Sequence, residues 1–247
     1  MLLRWRSDLF HLGVALSQSE GSSSSDYFAF ERGDVKGFLP TQYQNVLEIG
    51  CGEGHFSKHL PRAADYWAIE PDPVAAKAAE SRIANVLCGT FDARHTEVPD
   101  GKFDLVICND VIEHMTDHDW FLKNIQQKMT HDALIVGSLP NVRYITNLVD
   151  LLIRRDWPYT NSGILDRTHL RFFTEKSLHR ALTTNGFAVQ ELHGINSVFR
   201  WPNSLMDAAK VAVAAAVIGG TLGFAADVRF FQFAFRAKRR SLPTISP

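Results

Sequence analysis

The chain of 247 residues lacks most of the features that would mark it as a secreted scaffold, a nucleic-acid binder or a membrane-spanning protein. It has three cysteines, Cys51, Cys88 and Cys108, widely spaced and without a CxxC pair. That argues against a disulfide framework or a cysteine-based zinc site and points to a reducing, cytoplasmic setting. The formal net charge is −1, from 26 basic and 27 acidic residues, so the basic excess expected of a nucleic-acid partner is missing. No internal repeat of solenoid period is present. The longest apolar run without a charge, Val211 to Ala226, has sixteen residues. As a helix it would reach about 24 Å, whereas a bilayer core takes about twenty residues to cross. Gly219, Gly220 and Gly223 weaken that helix further.

What is present is enough apolar material for one sizeable core, with 45% hydrophobic residues. Met1 to Ser17 carries Arg4 and Arg6 ahead of an apolar stretch, Leu9 to Leu16, that His11 interrupts. It reads as an amphipathic arm rather than a signal peptide. The serine-rich segment Gln18 to Ser25 reads as a linker, so residues 1–26 are expected to precede a single domain over 27–237, with a basic tail at 238–247.

Within the domain, short apolar runs alternate with helical patterns. Val46–Ile49, Tyr66–Ile69, Asn85–Cys88, Phe103–Cys108 and Ala133–Leu139 read as strands. Phe56–Leu60, Val74–Ile83 and Asp117–Met129 read as helices, the last capped by Thr116. Alternation of this kind predicts an α/β fold with a doubly wound, mostly parallel sheet covered on both faces. Beyond Leu139 the rhythm changes. Asn141–Arg154 has helical spacing, Asp156–Phe173 reads as an aromatic and charged loop, and Thr174 caps a helix ended by Asn185-Gly186. Phe187–Leu192 and Val228–Arg236 read as strands, the latter with Phe231, Phe233 and Phe235 on one face. Segments 141–173 and 205–227 are therefore insertions, the second an apolar helix or helical hairpin.

The densest chemical signal is Glu48-Ile49-Gly50-Cys51-Gly52-Glu53-Gly54, which leaves the first strand and opens the next element. Glycines there allow a sharp turn and close approach of a ligand to the backbone. Glu70, twenty residues after Gly50, ends the next strand, where a carboxylate can accept hydrogen bonds from two ribose hydroxyls. A dinucleotide-binding loop would need its third glycine where His55 stands, and its pyrophosphate would meet Glu53 and Glu48. A cationic ligand suits those acids better.

Val46 to Gly54 closely resembles motif I of class I S-adenosylmethionine-dependent methyltransferases, and Ile69-Glu70-Pro71-Asp72 resembles the acidic element that follows it. Phe103 to His114 is similar to the fourth strand and loop of the ubiquinone-type O-methyltransferase branch. Leu139-Pro140-Asn141-Val142-Arg143 and the segment Gly163 to Thr174 are similar to methyltransferases of bacterial polysaccharide and O-antigen biosynthesis. The resemblance implies a Rossmann-like seven-stranded sheet whose last strand is antiparallel, with S-adenosyl-L-methionine as cofactor. It implies that Gly50, Gly52 and Gly54 pass under the methionine moiety, that Glu48 holds its ammonium and that Glu70 binds the ribose. Asp92 would approach the adenine and the backbone near Asn109 would face the methionine chain.

Methyl transfer requires an acceptor atom aligned behind the methyl carbon, and a base if that atom is a hydroxyl oxygen. His114, His169 and Asp110, with Asp166 next, are the candidate bases, and Arg143, Asp166 and Arg171 are candidates to grip the acceptor. His114 and His118, with Asp110, Asp117 and Asp119 nearby, lack an evident third ligand, so no metal is expected. The expected activity is O-methylation of a saccharide or saccharide precursor in polysaccharide biosynthesis. The alternatives are a quinone-like or other phenolic acceptor, or an inactive cofactor-binding partner protein. A peripheral contact with the inner face of a membrane is also expected, through 211–226 and the basic tail.

Overall fold

The computed structural model describes residues 33–61, 65–199, 202 and 204–240. The expected N-terminal arm and linker, and the tail from 241 onward, lie outside the described residues. Seven strands form one sheet: β1 (Asn45–Ile49), β2 (Asp65–Glu70), β3 (Asn85–Cys88), β4 (Phe103–Asn109), β5 (Met129–Pro140), β6 (Phe187–Ser197) and β7 (Phe230–Arg239). Their order is β3-β2-β1-β4-β5-β7-β6. All neighbours pair in parallel except β7, which is antiparallel to both β5 and β6. The expected doubly wound sheet with an antiparallel last strand is the sheet observed.

β4 explains the layering. Phe103, Leu105, Val106, Ile107 and Cys108 have no exposed surface, which requires cover on both faces. Two apolar clusters supply it, one holding Val106, Phe121, Phe187, Phe233 and Phe235, the other holding Val46, Leu105, Ile107 and Val136. The chain order reverses between β1 and β4, so a crevice opens beyond their carboxyl ends, the usual ligand position in open α/β sheets.

Helix ends differ from expectation where side chains compete for backbone groups. α1 (Pro73–Ala79) starts where Asp72 accepts from Val74 N (2.9 Å) and Ala75 N (2.8 Å), with proline at its first position. It ends at Ala79, before Ile83, and in the turn that follows Ser81 Oγ donates to the Ala78 carbonyl (2.7 Å). The short α2 (Phe91–Arg94) follows β3. α3 (His118–Lys128) is capped by Asp117, whose carboxylate accepts from Trp120 N (2.8 Å); Thr116 is not the cap. The segment 55–59 is a 3-10 turn, not an α-helix.

The second half departs further. Asn141 does not begin a helix. Its N–H donates to Phe231 O (2.9 Å) and its side chain to Asp227 O and Phe230 O (2.9 Å each), extending the sheet. Only Ile145–Val149 is helical (α4), followed by a π turn, Asp150–Arg154, that ends at Arg155 with φ 58°. α5 (Glu175–Thr184) has the expected Thr174 cap in a reciprocal pair with Ser177. α6 (Leu205–Gly220) buries only Lys210 and Ala214 and packs with α4 and Val228 in a third apolar cluster. No helix among the described residues is long and apolar enough to cross a membrane. The expected basic tail begins inside β7: Lys238 pairs with Asp132 (2.7 Å), and Arg239 donates to Met129 O (2.6 Å).

Candidate active site

At the end of β1 the chain turns through Gly50, whose N–H donates to Ile69 O (2.8 Å). Its φ is +71°, and a Cβ there would lie 2.5 Å from Val111 Cγ2, so only glycine fits. Gly52 N donates to Glu70 Oε2 (2.8 Å) and Asp72 N to Glu70 Oε1 (2.9 Å). Each carboxylate oxygen is thus fixed by one backbone N–H. Burial raises the Glu70 pKa and these two bonds oppose the rise. Glu48 is 2% exposed and accepts the Tyr66 hydroxyl. Burial pushes its pKa up to about 7 against the Tyr66 bond, with the Glu70 charge adding to the rise.

These groups form one wall of a cleft of about 640 Å³ beyond the strand ends. Of the expected cofactor residues, Glu48, Gly50, Gly52, Glu70 and Asn109 line it. Gly54 does not; a Cβ there would lie 3.3 Å from Ala79 Cβ and 3.1 Å from Ile83 Cδ1, so it serves close packing of the loop on α1. Asp92 is exposed on α2 and does not line the cleft. The Asn109 side-chain N and O are buried without a partner among the described residues, the kind of orphaned polar group a bound ligand satisfies. Two acids near a glycine turn, with no lysine or arginine lining this wall, fit a ligand bearing ammonium and sulfonium charges and a ribose. They do not suit a pyrophosphate.

The opposite wall comes from the segment after β4 and the insertion at 141–173. Asp110 has φ +52°, an uncommon conformation for a residue with a side chain. Its carboxylate is held by Ser138 Oγ (2.8 Å) and Gln232 Nε2 (2.7 Å), which aims it into the cleft it lines. His114 ends a 3-10 turn and also lines the cleft; its Nδ1 meets Thr168 O at 3.2 Å. Burial, and then the neighbouring His169, hold the His114 pKa below the ordinary histidine value. Asp166 accepts from Thr168 N (2.8 Å) and Thr168 Oγ1 (2.6 Å) and lines the cleft beside Asn161, Arg167 and Thr168.

Other expected acceptor residues lie elsewhere. His169 is buried behind His114, with ring centroids 4.7 Å apart and Nδ1 2.8 Å from Ile164 O. Arg143 makes a two-pronged pair with Asp227 (2.5 and 3.1 Å), and Arg171 donates to Thr116 O (2.6 Å) and Leu170 O (2.9 Å). Neither arginine lines the cleft. His118 sits edge-on to Phe173 (5.5 Å) and does not join His114. Glu113, which sequence reasoning passed over, is 1% exposed and lies against His114 and His169. Of the loop's aromatic side chains, Trp157 and Phe172 pack inward against each other (5.2 Å) and Tyr159 is exposed outside the cleft lining, so the loop's polar residues are the ones that reach the cleft. Tyr66 and Gln232, each fixing a cleft carboxylate, were also missed, because both lie in strands distant in sequence from the residue they hold.

Residues 17–192 match the family model described as a methyltransferase domain. The ubiquinone biosynthesis O-methyltransferase of Azorhizobium caulinodans is 26% identical over 169 residues, 66% of each chain. The ajmaline N-methyltransferase of Rauvolfia serpentina is 30% identical over 104 residues, 38% of this chain and 35% of that one. The chain thus spans between about a third and two thirds of such curated relatives. A solved S-adenosylmethionine-dependent methyltransferase from Archaeoglobus fulgidus superposes with a TM-score of 0.60 at 20% identity, covering 88% of this chain and 95% of that one. The family match spans more than half of the chain, and the glycine turn and paired acids fit the charges of S-adenosylmethionine: the chain belongs to the methyltransferase-domain family.

Proposed function

We propose that the chain methylates a hydroxyl oxygen of a small polyhydroxylated acceptor, a saccharide or saccharide precursor. The observation that carries this reading is the chemistry of the acceptor wall. Asn161, Asp166, Arg167 and Thr168 offer hydrogen-bonding groups there, while Trp157 and Phe172 meet edge to face within the third cluster. A sugar presents several hydroxyls to such a wall; a phenol gains most from an aromatic platform. The bound cofactor supplies an activated methyl carbon. Glu48, Glu70 and the glycine turn orient it, and Asp110 and His114 meet the acceptor hydroxyl. A phenolic acceptor is the second reading, supported by the ubiquinone-pathway relative. Release of S-adenosylhomocysteine with a panel of methyl glycosides, sugar nucleotides and catechols tests both. Turnover of saccharides is the expected result. Turnover of catechols alone favours the second reading, and turnover of amines alone overturns both.

We also propose a peripheral contact with lipid at the inner face of a membrane, through the end of α6. Leu222 and Phe224 are 88% and 91% exposed at the turn that follows it. The cationic help expected from β7 is reduced, because Arg236 pairs with Glu191 and Lys238 with Asp132. Vesicle flotation of the wild type and of Leu222→Ser/Phe224→Ser is the test. Wild-type protein that stays with the soluble fraction removes the contact.

A further inference from the structure

The sequence offered His114 and His118 as a metal pair without a third ligand. The fold rearranges that set. His118 turns to Phe173, and His169 comes from 55 residues downstream to lie against Glu113 and His114. One nitrogen from each of these two rings and a Glu113 carboxylate oxygen lie within 4.8 Å of one another.

We propose that Glu113, His114 and His169 hold a divalent first-row transition cation at the acceptor end of the cleft, and that its open coordination position takes the acceptor's hydroxyl oxygen. The second half rests on the proposed function; the first half does not.

Three observations carry the site. Two imidazoles and one carboxylate form a ligand set suited to zinc, manganese or iron, with positions left open for a small molecule. Both rings are also set in the ligating tautomer. The carbonyls of Thr168 (3.2 Å) and Ile164 (2.8 Å) have no proton to give, so Nδ1 of each ring donates and Nε2 is the nitrogen that would ligate. Metal-binding histidines are ordinarily oriented by such a second bond. Finally, the two halves are tied by backbone: Leu170 N (2.8 Å) and Arg171 N (3.0 Å) both donate to Glu113 O. Ligand atoms each about 2.1 Å from one ion in tetrahedral geometry lie about 3.4 Å apart, so the widest pair of the set closes by up to about 1.4 Å when an ion binds.

His114 lines the cleft, which places the ion beside Asp110. A cation lowers the pKa of a hydroxyl bound to it. Asp110 takes the hydroxyl proton, and the oxygen forms its bond to the methyl carbon. The carbon–sulfur bond breaks with its electron pair going to sulfur, leaving a neutral thioether. His114 then acts as ligand, not as proton acceptor.

The test is calorimetric titration of chelator-stripped full chain with Mn²⁺ and with Zn²⁺, without acceptor. One saturable equivalent per chain is expected. Glu113→Gln and His169→Gln should each weaken it by at least about 100-fold, more than the loss of an outer partner, while His118→Ala leaves it unchanged. Absence of saturable binding, or binding that survives both ligand variants, overturns the proposal. If those variants do not fold, X-ray absorption of the zinc-loaded wild type decides: two imidazoles in the shell are expected, and a shell without imidazole is contrary. Saccharide turnover that persists in full after stripping removes the acceptor role alone. Metal binding without saccharide turnover instead counts against the proposed function.

Discussion

The two walls of the cleft are built in different ways. The cofactor wall is short in sequence and made largely of backbone: Gly50 to Gly52 turn sharply, and Glu70 is clamped by the N–H groups of Gly52 and Asp72. The acceptor wall draws on positions 110–114, 138, 161–169 and 232, and its side chains are held by other side chains and by distant carbonyls. A wall made of backbone tolerates few changes in shape. One made of side chains can change its chemistry without changing the fold. Substitutions on the first wall should therefore act on cofactor affinity, and those on the second on turnover.

The largest expected effect is on the acceptor wall. His114→Ala should lower turnover by about 100-fold or more, the usual scale for a lost catalytic group, with cofactor affinity unchanged. Single-turnover rates beside a calorimetric titration check both halves of that statement. Gly50→Ala comes next. Its Cβ would meet Val111 at 2.5 Å in a left-handed conformation, so a stability loss of about 1–3 kcal/mol and weak cofactor binding are expected. Val111→Ala in the same chain should recover part of it, as denaturant unfolding would show. Glu70→Ala should weaken cofactor binding by about 1–3 kcal/mol, the range for charged hydrogen bonds.

A smaller effect comes from Glu48, whose pKa is about 7. The folded value lies above the unfolded one, so stability linked to its proton is full below the unfolded pKa and is lost as pH rises through 7. Affinity for the cofactor ammonium runs the other way, rising with pH through 7 as the carboxylate forms. Tyr66→Phe removes the bond that lowers the Glu48 pKa and should move that midpoint upward; a pH series of titrations reads it. The smallest effect is expected at Arg143. Its pair with Asp227 is partly exposed, so Arg143→Ala should cost about 0.2–1 kcal/mol of stability and leave acceptor KM near the wild-type value.

The same contrast governs what the sequence discloses. β4 is buried on both faces and reads as an unbroken apolar run, and Glu48, Gly50 and Gly52 sit in one contiguous motif, so the sheet and cofactor wall are legible locally. Asn141 has helical neighbours, but its amide is claimed by Asp227 and Phe230, almost ninety residues away, and no window of sequence contains both. His169 and Arg171 look alike as polar loop residues. One is placed against His114 and the other at the Thr116 carbonyl by the pairing of Leu170 N and Arg171 N with Glu113 O, a contact set by the tertiary fold. Asp117 displaces Thr116 as helix cap by a single position, within the range over which helix ends vary.

The division of labour between the walls is tested most directly by titrating S-adenosylhomocysteine into wild-type, Glu70→Ala and His114→Ala protein under one set of conditions. Binding to His114→Ala at wild-type strength is expected, and to Glu70→Ala at least about fivefold more weakly, the lower end of the loss expected when one partner of a charged hydrogen bond is removed. Full-strength binding by Glu70→Ala together with loss of binding by His114→Ala would contradict it.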